Sequence, residues 1–83
     1  MFTVYSLPNC KYCEMTKALL KTAGQEFREE VIGIDILREE FIDRYPYQKT
    51  APLIFDNEIN VGGYDDLIEY LEKKGRGPQL IEG

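Results

Sequence analysis

The chain has 83 residues, 43% of them hydrophobic, with ten basic and fifteen acidic side chains, no histidine and two cysteines. One domain spanning residues 1–83 follows, and a net charge of −5 with a pI near 4.6 excludes the basic surface that nucleic acid or an anionic membrane requires. No basic segment leads an apolar run of signal length and no stretch approaches the roughly 20 apolar residues that span a bilayer, so a soluble, cytoplasmic protein is expected.

Residues 2–6 are rich in β-branched and aromatic types and predict a strand. The polar loop Ser6-Leu7-Pro8-Asn9 leads to Cys10-Lys11-Tyr12-Cys13, which opens a helix predicted over 11–23. Met15, Ala18, Leu19 and Thr22 mark its expected buried face at i, i+3, i+4 and i+7, and Gly24 marks its stop. Phe27 to Ile34 predicts a second strand interrupted by Arg28, Glu29 and Glu30, its signal carried by Val31, Ile32 and Ile34. A short helix over 37–45 ends before Pro46, because the residue preceding proline avoids helical angles. Leu53-Ile54-Phe55, Asp56-Asn57-Glu58 and Ile59-Asn60-Val61 read as strand, turn and strand. Gly62-Gly63 breaks that hairpin, and a last helix places Tyr64, Leu67, Ile68 and Leu71 on one face before ending at Lys73-Lys74-Gly75. The tail from Arg76 to Gly83 reads as irregular. The order β-α-β-α-β-β-α predicts an α/β fold of the thioredoxin-like kind, a four-stranded mixed sheet flanked by helices.

The cysteine pair carries the chemistry. A thiol at the start of a helix meets unpaired N–H groups and the positive end of the dipole, both of which favour thiolate. Cys10 lies nearer that end and is the expected nucleophile. Cys13, about one turn on and more buried, is close enough to attack a mixed disulfide at Cys10 and so is the expected resolving thiol. A disulfide between them closes too short a loop to stabilise the chain much, so the pair is free for chemistry. Half of a zinc site is the alternative, but zinc takes four ligands and the chain has no histidine and no further cysteine. Only a dimer could complete the set, so no metal is expected. A lone C-x-x-C fits a reducing cytosol.

Three separated segments, Cys10-Lys11-Tyr12-Cys13, Thr50-Ala51-Pro52 and Gly62-Gly63-Tyr64-Asp65-Asp66, together with the element order, resemble the dithiol glutaredoxins over nearly the whole chain. The resemblance implies glutathione as co-substrate, with Cys10 and Cys13 catalytic. It implies a cis-proline at Pro52 and, beside Thr50, a pairing of the Ala51 backbone with the cysteinyl part of glutathione. It also counts Gly63 among the glutathione-binding residues, and assigns the γ-glutamyl carboxylate to N–H groups near Tyr64 and Asp65 and the γ-glutamyl amine to Asp65 or Asp66. Tyr12 lines the groove in this picture. Lys11 stands where the family usually has proline, and either favours the Cys10 thiolate or is solvated. Leu7 replaces a common Lys or Arg that meets the glycine carboxylate, a role open to Lys11 or Lys49. Tyr64 stands where cysteine is frequent. Lys17, a turn beyond Cys13, is expected at the surface.

The resulting expectation is a monomeric glutathione-dependent thiol–disulfide oxidoreductase acting on disulfide-containing or glutathionylated proteins. The alternatives are a thioredoxin-like electron donor, for instance to ribonucleotide reductase, recycled by a flavin reductase, and a non-enzymatic iron–sulfur carrier in which two protomers each give Cys10.

Overall fold

The computed structural model describes residues 1–76 and gives the expected order: β1 (Phe2–Ser6), α1 (Lys11–Thr22), β2 (Phe27–Val31), α2 (Arg38–Arg44), β3 (Leu53–Asp56), β4 (Ile59–Gly62) and α3 (Tyr64–Arg76). The sheet runs β2-β1-β3-β4. β1 is parallel to β2 and antiparallel to β3, and β3 is antiparallel to β4. The predicted irregular tail lies outside the described residues beyond Arg76.

Alternation along the two central strands loads both faces of the sheet. Phe2 and Val4 of β1 and Ile54 of β3 join Leu20 of α1 and Leu67 of α3 in one buried cluster. Tyr5 and Leu53, one residue out of phase, join Ile36 and Phe41 on the opposite face. There the rings of Tyr5, Phe41, Tyr45 and Phe55 pack with centroids 5.2–6.1 Å apart. The Tyr70 hydroxyl of α3 donates to the buried Asp56 carboxylate at 2.6 Å, tying α3 to the end of β3.

Four sequence expectations need correction. The buried face of α1 is Cys13, Thr16 and Leu20, whereas Ala18 and Thr22 are exposed and Met15 and Leu19 only partly buried. The stripe is rotated by about one residue because Cys13 and Thr16 do not count as strongly apolar. β2 stops at Val31 rather than Ile34: the Asp35 carboxylate accepts from the Val31 N–H at 2.9 Å, Gly33 takes a φ of 95°, and Ile34 is 73% exposed. α3 continues through Gly75 to Arg76.

Lys17 is the fourth. Its side chain is only 20% exposed and pairs with both Glu14 and Glu29 at 3.0 Å. Glu29 in turn accepts from the buried Ser6 hydroxyl at 2.6 Å. The charges that interrupt β2 thus serve the edge of the sheet: Glu29 turns toward α1, and Glu30 pairs with Arg28. The Ser6 hydroxyl holds the Glu29 carboxyl below its ordinary value, opposed by burial and reinforced by Lys17. A depressed folded pKa gives stability that is present above the ordinary value of 4.5 and lost as pH falls through the folded one. Glu29→Gln is therefore expected to flatten the acid limb of stability below about pH 4.5, read as urea midpoints across a pH series.

Candidate active site

The loop after β1 turns through Asn9, which takes a φ of 58°, a conformation that asparagine tolerates better than most residues. Cys10 follows as the N-cap of α1, in extended backbone, with its carbonyl accepting from the Glu14 N–H at 3.1 Å. Its sulfur occupies the place of a capping oxygen and accepts from the Cys13 N–H at 3.2 Å. A charge-bearing sulfur gains more from that donor than a neutral one does, so the cap itself favours thiolate at Cys10. Cys13 lies on the buried face with no exposed surface, whereas Cys10 is half-buried. The two are joined as a disulfide across a Cα–Cα distance of 5.2 Å.

The other two segments converge on this point. Ala51–Pro52 is a cis peptide, and the Cys10 sulfur lies 3.9 Å from the Ala51 carbonyl oxygen. Pro52 is buried and Ala51 half-buried. Gly63 backs onto the same residues, since a Cβ built there would stand 3.9 Å from the Pro52 carbonyl oxygen. Tyr12, 54% exposed, leans on Tyr64 with ring centroids 5.9 Å apart and planes tilted by 46°. The first turns of α1 and α3 thereby flank one wall built by residues 51 and 52.

The start of α3 divides labour between its two aspartates. Asp66 accepts from the Gly63 N–H at 3.0 Å, the reach-back half of a capping box. Gly63 in turn offers its carbonyl to the Leu67 N–H at 3.0 Å. Asp65 is exposed. Thr50 is exposed too, with its carbonyl accepting from the Gln48 side-chain amide at 2.8 Å. Lys11 projects into solvent at the first position of α1.

One part of the site was not visible in the sequence. Beside Ala51 runs a groove of about 190 Å³ lined by Leu7, Ile32, Phe41 and Ile42, with Arg38 and Lys49 also on its walls. Arg38 reads in the sequence only as a charged helix start, and nothing local ties it to Ala51. Among the described residues, no group of three or more His, Cys, Asp or Glu is placed to hold a metal ion. No described helix is long and apolar enough to cross a membrane.

Known proteins share both sequence and fold with this chain. Residues 2–61 match the family model described as Glutaredoxin. The chain is 39% identical over 82 residues to glutaredoxin 1 of Rickettsia felis, a match covering 96% of this chain and 79% of the relative. The solution structure of glutaredoxin from Brucella melitensis is similar at 34% identity and a TM-score of 0.70, covering 95% of this chain and 85% of that one. A crystal structure of a buckwheat glutaredoxin–glutathione complex shares the fold, with a TM-score of 0.72 at 24% identity, over 98% of this chain and 76% of that one.

Gly62 gives a direct test of the α3 junction. It takes a φ of 110°, and a Cβ there would meet the Asp66 carboxylate oxygen at 2.5 Å. Gly62→Ala is expected to cost about 1–3 kcal/mol in urea unfolding, from backbone strain and a displaced cap.

Proposed function

The chain belongs to the glutaredoxin family, whose members are generally thiol–disulfide oxidoreductases, and on that premise we propose that this one works with glutathione as its reductant. The observation that carries the reading is the convergence of a half-exposed, N-capping Cys10 sulfur with the Ala51 carbonyl at 3.9 Å, while Cys13 is sealed beneath it.

The Cys10 thiolate attacks a substrate disulfide, the old S–S bond breaks, and one substrate sulfur leaves as thiolate. Where the resulting mixed disulfide is with a protein, Cys13 attacks the Cys10 sulfur, releases the second substrate thiolate and closes the Cys10–Cys13 disulfide. Two glutathiones then restore the dithiol and leave as glutathione disulfide. Where the substrate is a glutathionylated protein, Cys10 takes the glutathione, the protein thiol leaves, and a second glutathione frees Cys10.

In this reading the glutathione backbone pairs with Ala51 along the Thr50–Pro52 wall, beside Tyr12. The γ-glutamyl carboxylate meets N–H groups at Tyr64 and Asp65, beyond the Gly63 junction. Since the Asp66 carboxylate already accepts from Gly63, Asp65 receives the γ-glutamyl ammonium. With Leu7 in place of a cation, the glycine carboxylate is left to Arg38 and Lys49 on the groove walls, or to Lys11. The buckwheat protein that shares this fold was solved as a glutathione complex, which supports glutathione as the ligand. The setting is the cytoplasm, the chain acts as a monomer, and its partners are disulfide-containing or glutathionylated proteins.

Cys10→Ser is expected to abolish turnover, whereas Cys13→Ser keeps deglutathionylation and loses reduction of protein disulfides. The measurement is a coupled assay with glutathione and glutathione reductase. Turnover that runs with thioredoxin reductase and not with glutathione overturns the reading. Asp65→Asn is expected to raise KM for a glutathionylated peptide about tenfold, the scale of a lost charge-assisted hydrogen bond. Asp66→Asn is expected to lower the melting temperature instead.

A further inference from the structure

Thr16 lies one turn beyond Cys13 on the buried face of α1, and neither residue exposes any surface. Its hydroxyl is the only buried side-chain nitrogen or oxygen among the described residues without a hydrogen-bond partner. Orphaned buried hydroxyls are uncommon, because each gives up its hydration and gets nothing back. A helical threonine also has an easy outlet in the carbonyl one turn back, and Thr16 does not use it.

Helical side chains lean toward the N-terminus, so Thr16 covers the turn that holds Cys13, its i−3 neighbour. At that spacing Cβ atoms lie about 5–6 Å apart, close enough for a hydroxyl and a sulfur to meet. In the disulfide seen here, Cys13 has no proton to donate and its sulfur is a weak acceptor. Reduction changes both properties: a thiol can donate to the hydroxyl oxygen, and a thiolate is a strong acceptor for the hydroxyl proton.

We propose that the Thr16 hydroxyl is the hydrogen-bond partner of the Cys13 sulfur in the dithiol state, and that as a positioning residue it biases the cysteine pair toward reduction. The inference rests on thiol–disulfide exchange at Cys10 and Cys13 and is independent of which reductant supplies the electrons. When Cys13 acts as the resolving thiolate, the hydroxyl proton points at its sulfur and aims it. When the Cys10–Cys13 bond closes, the hydroxyl is orphaned, so closure carries a cost that an apolar residue would not impose.

The test equilibrates the protein with dithiothreitol and its cyclic disulfide. Dithiothreitol gives up two electrons and two protons and closes its ring, while the Cys10–Cys13 bond opens to two thiols. Thr16→Val removes the hydroxyl at nearly constant shape, and is expected to shift this equilibrium about tenfold toward the protein disulfide. Thr16→Ser, which keeps the hydroxyl, is expected to stay near wild type. Melting each form separately adds a readout that a purely structural role does not produce. Thr16→Val should raise the melting temperature of the disulfide form and lower that of the dithiol form. An equilibrium within about twofold of wild type, or melting temperatures that move in the same direction in both forms, overturns the proposal. Thr16→Ala against Thr16→Ser makes the same comparison should the valine variant not fold. Glutathione takes no part in this measurement, so the glutathione reading and the Thr16 reading fail separately.

Discussion

Backbone pairing of β1 with β2 on one side and β3 on the other is what brings Cys10 to Ala51. β1 ends at Ser6, four residues before Cys10, and Tyr5 of β1 lies opposite Leu53 of β3. That register sets residues 51 and 52 beside the loop that carries Cys10. A slip by one residue would move the wall by roughly 3.3 Å and turn Ile54 out of the α1–α3 core. The position of the Cys10 sulfur is therefore secured by buried Phe2, Val4, Leu53 and Ile54, not by the loop itself.

The two cysteines become unequal through secondary structure alone. Cys10 occupies a capping position, which turns its side chain back over the first turn and leaves it partly open. Cys13, inside that turn, falls on the stripe that packs against the sheet. One helix thereby provides an accessible sulfur that accepts from a first-turn N–H and a sheltered sulfur beneath it. The edge network of Ser6, Glu29 and Lys17 fixes the same helix from below, through β1 and β2.

Much of this was legible in the sequence, and the reasons are local. Pro46 and Gly62-Gly63 punctuate the chain, and the turn signal of Asp56-Asn57-Glu58 joins two short apolar runs, so the elements fall close to where those signals put them. The cysteine spacing and the turn of helix it implies are likewise read directly. What escaped depends on contacts across the sheet. The α1 stripe was misplaced because a buried cysteine and threonine look neutral in an apolar count. Lys17 looked like a surface cation because its partner Glu29 belongs to a strand twelve residues away. Arg38 escaped because the groove it lines is assembled from four separate segments. The different surroundings of Asp65 and Asp66 escaped because the Gly63 N–H that Asp66 accepts from takes its direction from the junction.

The contact between Tyr12 and Tyr64 has an optical consequence. The chain contains no tryptophan, so its ultraviolet emission comes from tyrosine alone. One of these rings sits inside the cysteine motif and touches a second across the cleft. Disulfide sulfur quenches a nearby excited phenol more strongly than thiols do. Tyrosine emission is therefore the intrinsic optical signal of this chain, and Tyr12 sets one of its six tyrosines between the two cysteines.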